Sequence, residues 1–95
     1  MLQIDSNLKN EKFGTEVESY FKQCLKQVCA FAPTDAHVIE SLGKIADFFK
    51  VDVNVKSMAW SGGSLGREKN AFLAVDFAIA QILEQIRVYK DQRRF

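Results

Sequence analysis

The chain has 95 residues, 47% of them hydrophobic and 26% charged, and carries eight Phe. That is room for one domain, taken as residues 1–95, with enough apolar bulk to build a core without metal or disulfide staples. The formal net charge is +1, which excludes a strongly basic nucleic-acid coat, so any RNA contact must come from local patches.

No apolar run approaches the ~20 residues that span a bilayer. Residues 1–10 lack the basic start and apolar centre of a secretory signal. Cys24 and Cys29 fall in one expected helix, at a spacing that turns them apart, and match no C-x-x-C pattern. They read as free, mostly buried thiols of a reducing compartment, and a cytoplasmic location is expected.

The opening segment alternates Leu2 and Ile4 with Gln3 and Asp5, which predicts a short strand. A polar stretch follows to Gly14. Thr15 offers a helix N-cap and Glu18 completes a T-x-x-E box. Val17, Tyr20, Phe21, Cys24, Leu25 and Val28 then recur at helical spacing, with Glu18, Lys22 and Lys26 on another face. Pro33 ends this helix. From Thr34 to Ala46, Ala36, Val38, Glu40 and Leu42 alternate with His37, Ile39, Ser41 and Gly43. The pattern predicts a strand, with a helix over 36–50 as the alternative. Phe49, Val51, Val53 and Val55 oppose Lys50, Asp52, Asn54 and Lys56, a strand with one buried and one wet face.

Ser61-Gly62-Gly63-Ser64 is loop or hairpin chemistry, with a short fourth strand around it. Lys69 to Arg93 predicts a long helix whose core face is Phe72, Val75, Ile79, Ile82, Leu83 and Ile86. Leu73 and Phe77 open a second apolar stripe suited to a neighbouring helix. At ~1.5 Å per residue this helix runs about 35 Å, longer than a small sheet covers, so its C-terminal end is expected to overhang. The fold class is α+β in the order β-α-β-β-β-α, an antiparallel sheet with both helices on one face.

The densest charge cluster is the end of that helix, where Arg87, Lys90, Arg93 and Arg94 are opposed by Asp91. Arg87, Lys90 and Arg94 lie within about 60° on a helical wheel. Such a face can approach phosphates, or it can simply solvate the helix and complement its dipole. Lys22 and Lys26 can join that surface, although Glu18 is also spaced to pair with Lys22. Lys50, Lys56, Arg67 and Lys69 extend it across the open sheet face and its edge loop. Gly62 to Arg67 resembles a phosphate loop but lacks the G-K-[ST] ending, and a hairpin turn is the better reading. His37 has no second ligand or nucleophile near it in sequence. Trp60 can stack on a base or pack half-buried. No constellation for acyl transfer, phosphoryl transfer or metal hydrolysis stands out, so neither a cofactor nor a metal is expected.

The segment Phe72-Leu73-Ala74-Val75-Asp76-Phe77-Ala78-Ile79 and its continuation Gln85-Ile86-Arg87-Val88-Tyr89-Lys90-Asp91 resemble the closing helix of the hibernation-promoting and ribosome-associated inhibitor family. Phe49-Lys50-Val51-Asp52-Val53-Asn54-Val55 is similar to that family's third strand. Two departures stand out. The glycine pair Gly62-Gly63 comes late, and the family's H-A-x-A fourth strand is replaced by Ser64 to Lys69.

The resemblance implies a binding protein, not an enzyme, with a double-stranded-RNA-binding-domain-like fold. The implied partner is the 30S subunit and its 16S rRNA, with no DNA and no membrane. Binding near the decoding centre would cover the messenger RNA and tRNA positions and hold ribosomes idle, as blocked monomers or as dimers. The implied RNA contacts are Arg87, Lys90, Arg93 and Arg94, with Lys22, Lys26, Lys50 and Lys56 less directly. Two rival readings remain open. One is a protein–protein module that forms a weak homodimer through Leu73, Phe77 and Val88. The other is a small enzyme using Cys24 or Cys29.

Overall fold

The computed structural model describes the backbone of residues 2–4 and the whole of residues 14–92. The elements, in chain order, are β1 (Leu2–Ile4), α1 (Gly14–Phe31), β2 (His37–Ile45), β3 (Phe48–Lys56), β4 (Ser61–Glu68) and α2 (Ala71–Gln92). β2, β3 and β4 form an antiparallel sheet. β1 pairs parallel to β2, Leu2 against Glu40 and Ile4 against Leu42, with α1 as the crossover between them.

β3 is the centre of the sheet because its sequence suits a pleat. Val51, Val53 and Val55 are fully buried, while Asp52, Asn54 and Lys56 turn the other way. Cross-strand partners share a face, so Leu42, Val51 and Gly66 form one row toward the helices. Gly43, Lys50 and Arg67 form a row on the open side. The β2–β3 turn is the pair Ala46-Asp47, with Ala46 at φ 54°.

Both helices contribute to one core with the sheet. α1 supplies Val17, Phe21, Leu25 and Val28, a helical stripe, and α2 supplies Val75, Ile79, Ile82 and Ile86 with Ala71, Ala74 and Ala78. Each large side chain buried this way contributes about 1.5–3 kcal/mol. The helices run in the same direction. Tyr20 meets Phe72 edge-on, ring centres 5.5 Å apart, and its hydroxyl donates a hydrogen bond to Asp76. At the far end the Lys90 ammonium lies 5.3 Å from the centre of the Phe31 ring.

The segment from His37 to Ile45 is the expected strand, and the helical alternative does not form. Other expectations need correction. Gly62 and Gly63 do not form a hairpin turn; they lie inside β4, which runs eight residues. The turn is Ser57 to Trp60, closed by the Ser57 N–H on the Trp60 carbonyl at 2.8 Å and by the Ser57 hydroxyl on the same carbonyl at 2.7 Å. The glycines serve close approach. A Cβ on Gly66 would stand 1.9 Å from the Ala74 carbonyl oxygen, and one on Gly62 would stand 2.5 Å from the Trp60 ring. Small residues on α2 and β4 thus let helix and strand touch, and the Ser64 hydroxyl donates to the Ala78 carbonyl at 2.7 Å.

α1 begins at Gly14, one residue ahead of the expected cap Thr15, and Glu18 pairs with Lys22 at 3.1 Å. α2 is capped instead by Asn70, whose side-chain oxygen accepts from the N–H groups of Phe72 at 2.9 Å and Leu73 at 3.2 Å. Cys24 is half-buried and Cys29 exposed, because the buried stripe of α1 runs through Leu25 and Val28. The end of α2 does not stand free of the body as far as Lys90. Ile86 is buried, and Tyr89 stacks on Trp60 with ring centres 5.3 Å apart. Leu73 and Phe77 stay 48% and 50% exposed, since α1 packs on the Phe72, Asp76 and Leu83 side of α2.

Candidate nucleic-acid interface

The cations divide between the two ends of α2, Ala71 and Lys90, separated by about 30 Å at ~1.5 Å per residue. The C-terminal end carries Arg87 and Lys90. Arg87 is not an open positive charge: its guanidinium donates to Glu84 at 2.5 and 3.0 Å and to Asp91 at 2.8 Å. The hydrogen bond from Arg87 pulls the Glu84 carboxyl below its ordinary range, and the bond to Glu84 raises the Arg87 guanidinium. Glu84 stands three residues before Arg87, a spacing from which the pair could have been expected. Lys90 keeps its ammonium over Phe31, beside a groove lined by Phe31, Leu83 and Ile86. Arg93 and Arg94 lie outside the described residues.

On α1, Lys22 and Lys26 are exposed, and Lys22 is engaged by Glu18. Exposed pairs of this kind contribute a few tenths of a kcal/mol and yield readily to a competing phosphate. Lys56 stands opposite His37 and Ser61 on the open face of the sheet.

The other end of the molecule, around the β2–β3 turn, gathers more charge than the sequence pattern suggested. Lys50 and Arg67 are direct cross-strand partners on the open face. The Arg67 guanidinium lies over the Phe48 ring, 5.1 Å from its centre, and the Lys69 ammonium lies 5.9 Å from the same centre. Lys44 lies 5.4 Å from the centre of the Phe49 ring. Among the described residues, no carboxylate comes within ion-pair distance of Lys50, Arg67 or Lys69. Like charges placed directly opposite in a sheet cost stability. A phosphate between them would offset that cost. The alternation placed Lys50 on the open face, but only the register puts Arg67 beside it.

Of the remaining candidates, Trp60 and Cys24 are held in packing contacts and His37 and Cys29 are exposed. Trp60 packs on Tyr89 and over Gly62. The Cys24 thiol is pushed up chiefly by burial, which makes it a poor nucleophile at neutral pH. His37 is exposed at the start of β2. Among the described residues no cluster of His, Cys, Asp or Glu is placed to hold a metal ion, and no helix is long and apolar enough to cross a membrane.

Solved structures that share this fold include two that match nearly the whole chain. A ribosomal subunit interface protein from Coxiella burnetii matches with a TM-score of 0.69 at 15% identity, over 95% of this chain and 97% of its own. The N-terminal domain of Thermus thermophilus Protein Y matches with a TM-score of 0.68 at 12% identity, over 93% of each chain. No family model and no curated protein matches the sequence. At these identities the likeness establishes a common fold, an antiparallel sheet with two helices, over 93–95% of the chain.

Proposed function

We propose that the chain is a single ribosome-binding domain, residues 1–95, that seats on the small subunit and holds translation idle. The observation that carries this reading is the overlap, over 93–95% of the chain, with two solved structures, one a ribosomal subunit interface protein and the other the N-terminal domain of Protein Y. Lys50, Arg67 and Lys69, which have no carboxylate within ion-pair distance among the described residues, supply the chemistry. The proposal places 16S rRNA as the partner, near the decoding centre, where a bound domain covers the messenger RNA and tRNA positions. Whether idle ribosomes then pair is a consequence of the same seat.

Function of this kind asks for no catalytic residue. It asks for a rigid wedge that meets folded RNA by shape and by phosphate contacts. The short β1, the antiparallel strands and two parallel helices make such a wedge, like a double-stranded-RNA-binding domain. Lys50, Arg67 and Lys69 form one set of contacts, with Lys56 further along the open face. Lys90, Arg93 and Arg94 form the other, with Lys22 and Lys26 on the adjoining helix. Arg87 joins only when phosphate displaces Glu84 and Asp91.

The test is the salt dependence of 30S binding. Changing Lys50, Arg67 and Lys69 together to Ala should lower the slope of log affinity against log salt by about 3, one for each lost phosphate contact. Arg87→Ala alone should leave it nearly unchanged. An unaltered slope for the triple variant would remove the hairpin end from the interface.

A further inference from the structure

β4 is the outer strand of its sheet, and an outer strand offers unpaired backbone groups to any other chain. Here that offer is withdrawn by side chains. Gly63 and Leu65 turn their backbone groups away from β3. The Gly63 N–H donates to the Gln85 side-chain oxygen at 3.1 Å, and the Gln85 side-chain amide donates to the Gly63 carbonyl at 2.7 Å. One turn earlier, the Leu65 N–H reaches the Gln81 side-chain oxygen at 3.5 Å, and the Gln81 amide donates to the Leu65 carbonyl at 3.1 Å. Two glutamines four apart on a helix are spaced by about 6 Å, and two residues of a strand by about 7 Å. The two carboxamides therefore stand where the backbone of a further strand would stand.

We propose that Gln81 and Gln85 are an edge cap that keeps the chain from pairing with a second copy of itself through β4. The edge is self-compatible without them. In an antiparallel pairing centred on Ser64, Gly63 faces the copy's Leu65 and Arg67 faces the copy's Ser61, so no like charges meet. Leu73 and Phe77 are half exposed on α2, the helix that packs on β4, and a second copy along β4 would pack beside that helix. The apolar stripe thus sits beside a pairing edge, and the glutamines decide whether that edge is open.

The experiment compares wild type with the Gln81→Ala, Gln85→Ala double variant by sedimentation equilibrium and amide exchange. Alanine is the best helix former, so α2 is retained. Wild type stays monomeric, and its Gly63 and Leu65 amides exchange slowly at every concentration. The double variant dimerises with a dissociation constant lowered roughly tenfold or more, a gain of about 1.4 kcal/mol. Its Gly63 and Leu65 amides exchange fast when dilute and slowly when concentrated. Adding Leu65→Pro, whose N–H points away from β3, restores the monomer. A folded double variant that stays monomeric overturns the proposal, as does a wild type that dimerises equally well. Should the variant precipitate, wild type still decides: Gly63 and Leu65 amides exchanging as fast as the outward amide of Arg67 would refute the cap.

Discussion

Gly66 shows how a single hydrogen atom fixes the seat of a helix. Its Cα lies so close to α2 that an added methyl would overlap the Ala74 carbonyl oxygen at 1.9 Å and crowd the Ala78 nitrogen at 3.1 Å. Backbone cannot swing aside as a side chain can, so Gly66→Ala should destabilise the fold by about 3 kcal/mol. At Gly63 the added methyl meets the end of the Asn54 side chain, which can rotate away. Gly63→Ala should therefore cost less than about 1 kcal/mol. Urea denaturation of the two variants checks the contrast; equal losses would mean the strand–helix contact is looser than described. The same residue explains a misreading. Glycine in a sequence signals a turn far more often than a close approach, and nothing local distinguishes Gly62-Gly63 in a strand from a hairpin loop. Ala46-Asp47 is a true turn with no glycine, its strain borne by Ala46 at φ 54°.

Periodicity carried most of the elements. The alternating valines of β3 and the stripe of α1 read directly, because burial on one face leaves a mark at every second residue or every turn. What periodicity could not carry was which flank of α2 each neighbour takes. Leu73 and Phe77 looked made for α1, yet α1 lies against Phe72 and Asp76, where Tyr20 links the helices. Hydrogen bonding to Asp76, then burial, raises the Tyr20 phenol well above its ordinary value of 10.0. A group whose folded pKa is raised stabilises the protein below its unfolded pKa and loses that contribution as pH climbs. Tyr20→Phe should thus cost about 1 kcal/mol near neutrality. It should also flatten the fall in stability that wild type shows above about pH 10. Urea midpoints across that range check both; parallel curves for the two proteins would remove the helix link from the account.

At the scale of the whole molecule, charge is distributed rather than abundant. A net charge of +1 spread over 95 residues gives no long-range attraction worth the name. Binding then depends on shape bringing a few cations to phosphates. The sequence singled out the end of α2 as the cationic tip. The structure tempers that view, since Glu84 and Asp91 occupy Arg87, while Lys50 and Arg67 meet across the sheet with no counter-ion among the described residues. The helix cluster was legible because it is local; the sheet cluster needed a register between residues far apart in the chain. Whether these two ends grip the small subunit over its messenger and tRNA positions is decided by an exclusion experiment. Purified 30S subunits are mixed with the protein at low salt, pelleted, and assayed for binding of messenger RNA and tRNA. The account predicts stoichiometric co-sedimentation that is lost at high salt, with tRNA and messenger binding reduced in proportion to the protein bound. Subunits that pellet without the protein, or that carry protein and tRNA together undiminished, would contradict it.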